Sequence, residues 1–111
     1  MELKDKKCDC TTKNLQKLSS EGIETLLKEV DNWKVDDNGL SLIKKYIFPD
    51  YISGFQFLTE VVRIAEEQNH HPDFSYTPKN NKLTLTIYTY VVNGLTENDF
   101  ILAAKYDAIK R

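Results

Sequence analysis

Apolar residues recur at helical spacing in three stretches of this chain and alternate with polar ones, or run together, in the shorter stretches between them. From Ser20 onward, Ile23, Leu26, Leu27 and Val30 come round every three or four positions, and Glu21 and Glu24 sit near the end of the helix dipole that favours negative charge. A first helix is predicted over about 20–31. Trp33 and Val35 lead into the turn residues Asp36-Asp37-Asn38-Gly39, and Leu40 to Phe48 has the length and composition of a strand, so the two runs read as a hairpin. Pro49 stops that strand and Asp50 supplies a side-chain cap for a long helix, about 51–69. Phe55, Leu58, Val62 and Ala65 form its apolar stripe, widened by Phe57, Val61 and Ile64. It must stop near His71, because Pro72 disfavours a helical conformation in the residue before it.

The remainder repeats the pattern. Phe74 to Thr77 is a short extended run, and Pro78-Lys79-Asn80-Asn81-Lys82 carries turn chemistry. In the strand that follows, Leu83, Leu85, Ile87 and Val91 are predicted to face the core, with Thr84, Thr86, Tyr88 and Tyr90 on the outer side. After Asn93-Gly94, Thr96-Glu97-Asn98-Asp99 opens a last helix with Phe100, Ile101, Ala104 and Ile109 as its apolar contacts. The order α-β-β-α-β-β-α, without alternating crossovers, predicts an α+β fold: an antiparallel four-stranded sheet covered on one face by helices. The uncovered face, coated by Thr84, Thr86, Tyr88 and Tyr90, suits a flat ligand or another subunit. Residues 1–14 are polar and lack apolar periodicity, so they are expected to form a mobile tail outside the core, leaving 15–111 as a single domain.

Composition narrows the function. With 15 basic and 17 acidic residues, a net charge of −2 gives no excess positive potential for a phosphate backbone, so direct nucleic-acid binding is not expected. No run of about twenty apolar residues is present to span a membrane, and the N-terminus lacks the apolar stretch of a secretory signal, which predicts a cytoplasmic protein. Cys8 and Cys10 are too close to staple the fold and read as reduced thiols.

Candidate chemistry concentrates at one point. Both histidines are adjacent, in Glu66-Glu67-Gln68-Asn69-His70-His71-Pro72-Asp73-Phe74, at the end of the longest helix. Histidine both donates and accepts protons near neutral pH, and a pair can divide the two roles. Glu66 lies one helical turn before His70. A plain reading competes: Asn69, His70 and His71 end a helix, and histidine is favourable at the dipole's negative end. A metal reading is weaker, since neighbouring helical residues point about 100° apart and no third histidine or nearby cysteine completes a set. Aromatic residues near the pair, Phe74, Tyr76, Tyr88 and Tyr90, are suited to packing or to a planar heterocycle.

Glu66-x-x-x-His70-His71-Pro72, a threonine-rich strand, and Gly94-Leu95-Thr96-Glu97-x-Asp99 together resemble the pterin-4a-carbinolamine dehydratase family over about 20–111. The resemblance implies dehydration of 4a-hydroxytetrahydropterin to quinonoid dihydropterin in tetrahydrobiopterin recycling, with no cofactor because the pterin is the substrate. It also implies a homodimer or homotetramer. Some family members act as dimerisation cofactors for a homeodomain transcription factor, which leaves a nuclear role and a pure dimerisation or binding module open. By the same resemblance His70 and His71 match the catalytic pair, and Tyr90 falls where the family has a third catalytic histidine. Glu66, Asn69, Pro72, Asp73, Phe74, Tyr88, Thr89, Val91 and Asp99 match substrate-binding positions, with Phe74 where tryptophan is usual. Tyrosine at 90 is a poor reservoir of base, and a catalytically weak pterin-binding protein is the reading it opens.

Overall fold

The computed structural model describes residues 2–9 and 15–110. Three helices and four strands follow in the predicted order: α1 (Ser20–Leu27), β1 (Lys34–Val35), β2 (Leu42–Ile47), α2 (Tyr51–Gln68), β3 (Asp73–Thr77), β4 (Lys82–Ile87) and α3 (Glu97–Asp107). The strands form one antiparallel sheet in the order β1-β2-β4-β3.

Alternation along β2 and β4 builds the core. Leu42, Lys44 and Tyr46 lie opposite Ile87, Leu85 and Leu83, and all six are buried. Between them, Thr84 and Thr86 are half-buried and Lys45 is exposed, so one face of the sheet is covered and the other is open. Phe57, Leu58, Val61 and Ile64 of α2 and Phe100, Ile101, Leu102 and Tyr106 of α3 close over the inner face. The Tyr106 hydroxyl donates to the Val61 carbonyl at 3.3 Å and ties the two helices together. Phe55 and Val62, read from the sequence as part of the stripe, lie at its margin and are exposed. Phe55 instead stacks on Tyr76 of β3, whose ring lies so close to Gly54 that a Cβ there would collide with it.

A lysine on the inner face is the unexpected core residue. Lys44 Nζ pairs with Asp107 Oδ1 at 2.9 Å, and the same carboxylate oxygen accepts from Trp33 Nε1 at 2.9 Å. The ammonium also lies 5.0 Å from the Tyr46 ring centroid and 5.8 Å from that of Trp33. A buried charge needs a partner and hydrogen bonds to be tolerated, and here a carboxylate and two aromatic faces supply them.

Several boundaries differ from expectation for local reasons. Helix α1 ends at Leu27 and not near 31, because Glu29 and Val30 bond back only three residues and Asn32 takes a left-handed conformation (φ 60°). Strand β4 ends at Ile87, short of Val91. Thr89 and Gly94 pair instead, closing a loop whose 3₁₀ turn, Tyr90–Val92, ends at left-handed Asn93. Val91, expected in the core, is 63% exposed.

The N-terminal segment corrects a third expectation. Residues read as a tail outside the core dock against α3: Leu3 is only 5% exposed, and Lys105 Nζ donates to the Lys4 carbonyl at 2.8 Å. The Cys8 amide donates to Gln68 Oε1, and Asp9 exchanges two hydrogen bonds with the Asn98 side chain. Cys10 and the rest of 10–14 lie outside the described residues.

Candidate active site

Three local structures converge on the histidines. The first is the end of α2. Asn69 adopts φ 54°, ψ 39°, its amide bonds to the Glu66 carbonyl, and the His70 amide reaches back to the Ala65 carbonyl at 3.1 Å. This is a Schellman cap, and it turns His70 inward while the chain leaves toward Pro72. The second is the start of α3, where Thr96 and Asp99 form a capping box: Asp99 Oδ2 accepts the Thr96 amide at 2.8 Å. The third is the 89–94 loop, whose first residue, Thr89, is buried and donates from Oγ1 to Asp99 Oδ2 at 2.8 Å.

Asp99 joins these parts. It is fully buried, and its free oxygen, Oδ1, lies 2.6 Å from His70 Nε2. An ionised carboxylate can only accept, so Nε2 carries the hydrogen and Nδ1 is the nitrogen left for proton exchange. The N-terminal end of α3 steadies the carboxylate's negative charge. Thr96 Oγ1 lies 2.8 Å from Thr89 Oγ1 and completes the network. Expected among the substrate-binding residues, Asp99 is instead enclosed behind His70, with both oxygens engaged by the protein.

His71 is different. Its side chain is exposed, and Nε2 lies 3.2 Å from Oε1 of Glu66, which is also exposed. The pair of histidines thus presents one ring fixed from behind and one open to solvent, on the wall of the same cavity. That cavity has a volume of about 260 Å³ and is lined by Leu15, Asn69, His70, His71, Tyr88, Thr89, Tyr90 and Val91. Small-molecule sites typically run from about 300 Å³ upward, so this one suits a small, partly exposed heterocycle. Larger clefts of about 420 and 620 Å³ lie near the far end of α3, but neither contains a histidine.

The remaining expected residues separate. Pro72 and Phe74 line a neighbouring apolar cavity of about 200 Å³ with Val61, Val62 and Ala65, and His71 forms part of both walls. Asp73 stands beside Tyr88. Its negative charge first, then burial and a hydrogen bond between the two, pushes the Tyr88 phenol above the usual tyrosine range, so Tyr88 is a neutral donor. Tyr90 lies on the exposed turn at 83% exposure, and not beside Tyr88 on a continuous strand. Two residues were missed by the sequence reading. Thr96 was legible as half of a Thr-x-x-Asp capping box; Leu15 carried no local signal, because only the folded chain brings it to the cavity. Among the described residues, no three His, Cys, Asp or Glu side chains gather as a metal site would require.

The model for pterin 4 alpha carbinolamine dehydratase matches residues 16–109, which include every part of this arrangement except Leu15. The chain belongs to that family. A Rickettsia bellii protein named for the same dehydratase is 39% identical over 109 residues, covering 97% of this chain and 94% of its own. Pterin-4-alpha-carbinolamine dehydratase 2, mitochondrial, of Arabidopsis thaliana is 36% identical over 98% of this chain and 59% of its own, longer sequence. The crystal structure of a Brucella melitensis transcriptional coactivator/pterin dehydratase superposes with a TM-score of 0.78 at 27% identity, covering 84% of this chain and 97% of that one. In this family member no helix among the described residues is long and apolar enough to cross a membrane.

Proposed function

We propose that this protein dehydrates a 4a-hydroxytetrahydropterin to the quinonoid dihydropterin, as its family's name implies, by proton transfer through His70 and His71. The reading rests chiefly on one observation, a buried carboxylate 2.6 Å behind His70 with an open histidine beside it in one cavity. In the reaction the C4a–O bond breaks and a C4a=N bond forms from the electron pair of the adjacent ring nitrogen. The departing hydroxyl takes a proton and leaves as water, and the ring nitrogen gives up a proton, so the net loss is one water. His70 is suited to take the nitrogen's proton, because Asp99 holds its tautomer and stabilises the imidazolium that forms, the role a buried carboxylate has behind other catalytic histidines. His71, open to the cavity, is suited to protonate the hydroxyl and to recover its proton from solvent. Tyr88, whose one hydrogen is held by Asp73, is left to accept from the ring, and Tyr90 is suited to donate to it.

The test is dehydration of synthetic 4a-hydroxytetrahydropterin followed by ultraviolet absorbance. His70→Ala and His71→Ala are each expected to lower kcat by about 10²–10⁴-fold with the fold retained by circular dichroism. Near-normal rates in both variants would show that the pair is only a helix cap.

A second reading, a dimerisation surface, is favoured by the exposed side chains of Ile52, Phe55 and Val62 along α2 and by the coactivator named in the Brucella relative. We propose a homodimer or homotetramer on this ground, to be tested by light scattering of the wild type and of Ile52→Lys.

A further inference from the structure

The histidine cavity takes one wall from far outside the segment that carries the chemistry. Seven of its lining residues fall between Asn69 and Val91, whereas the eighth, Leu15, precedes α1. Leu15 is held there by its own stretch of chain. Three residues on, the Leu18 amide donates to the Leu95 carbonyl at 2.8 Å, which fastens the segment to the turn leading into α3. Lys17 lies against Gly94, so closely that a Cβ at that glycine would stand 2.6 Å from Lys17 Cε and 3.3 Å from Cδ. The contact shows how near the segment runs to position 94, although a Cβ there would only displace the end of an exposed lysine side chain.

Leu15 also differs in kind from its neighbours. Asn69, His70, His71, Tyr88, Thr89 and Tyr90 all offer polar atoms, and of the two aliphatic residues Val91 is largely exposed while Leu15 is half-buried. In the proposed substrate the bonds that change are C4a–O and N5–H, and the ring atom beyond N5 is the saturated carbon C6, which carries the substituent by which reduced pterins differ. If the histidines meet C4a and N5, the apolar wall is left for C6 and what it bears.

We propose that Leu15 is a specificity-determining residue that packs against the C6 substituent of the reduced pterin and favours a small apolar group there over a hydroxylated one. The proposal rests on the dehydratase reading above and adds a residue to it. Truncating the isobutyl side chain, or replacing its branched end with an amide, leaves the acid–base pair untouched, and apolar discrimination of this size is worth about tenfold in relative kcat/KM.

The experiment compares wild type, Leu15→Ala and Leu15→Asn with two 4a-hydroxytetrahydropterins, one with methyl and one with dihydroxypropyl at C6. Calorimetric binding of the matching stable 7,8-dihydropterins runs in parallel. Expected for both variants is a fall of about tenfold in the methyl-over-dihydroxypropyl ratio, carried by KM with kcat held within about twofold, and the same fall in the ratio of binding constants. An unchanged ratio, whatever happens to KM as a whole, overturns the proposal, as does a loss confined to kcat. Wild type that binds both dihydropterins without turning over either substrate would sink the dehydratase reading alone, and the binding ratios would still decide the role of Leu15. Failure of wild type to bind either pterin overturns both.

Discussion

The two ends of the cavity are built differently. At the junction of α2 and α3, His70 is buried, its carboxylate partner is fully enclosed, and both Asp99 oxygens and the Thr89 and Thr96 hydroxyls have partners at 2.8 Å or less. On the other side, the 89–94 loop projects Tyr90 and Val91 into solvent from a 3₁₀ turn, and His71 meets only an exposed glutamate. The first end is fixed by helix caps that the fold needs in any case; the second is free to vary without disturbing them. Tyr90, which the resemblance places where the family has a third histidine, stands at the second end, and His70 stands at the first. A position on an exposed turn can change its chemistry at little structural cost, whereas His70 is locked to a capping carboxylate.

The histidine substitutions above are the largest test of that contrast, and the enclosed network is the next. Asp99→Asn is expected to lower kcat by about 10²-fold or more, because an amide cannot fix the same tautomer or stabilise the imidazolium. The loss should come with a changed pH profile of kcat, a readout that mere loosening of α3 would not give. An unaltered profile with only a lower melting temperature would reduce Asp99 to a helix cap. The docked N-terminal segment gives the third. Leu3→Ala should destabilise the protein by about 2 kcal/mol in urea unfolding, the low end for a buried leucine, with kcat within twofold. No change in stability would return residues 2–9 to the status of a tail.

The smallest effect is expected at the exposed 3₁₀ turn. Tyr90→Phe should raise KM about two- to threefold and leave kcat nearly unchanged, since an exposed phenol can orient the ring by one hydrogen bond. Tyr90→His sharpens the comparison across pH 6–9. A large rise in kcat with KM unmoved would mean that position 90 exchanges protons as His71 is proposed to, and that the loop does more than orient the ring.

Much of this was written into local sequence. Period and turn chemistry gave the element order, the Asp50 cap, the hairpins and the end of α2 at Asn69, because each depends on neighbours within a few residues. The histidine pair and the Gly94 to Asp99 motif pointed to the family for the same reason. What the sequence could not reveal depended on contacts between distant segments. Asp99 was grouped with the substrate-binding residues because a motif shows which residues recur and not which way a side chain turns. The strand was extended to Val91 because Tyr88-Thr89-Tyr90-Val91 keeps the composition of a strand, while pairing of Thr89 with Gly94 bends the chain away. The burial of Lys44 rests on Asp107, 63 residues later, which no local pattern joins to it. The polar opening lacks periodicity, so its one anchoring residue, Leu3, was invisible until α3 supplied the surface it fills. The sequence alone determined the elements, their order and the presence of two adjacent histidines at the end of the longest helix. Only the tertiary structure decided which histidine is backed by a carboxylate, which is open, and that Leu15 completes the wall, because burial and hydrogen-bond geometry are properties of the assembled chain.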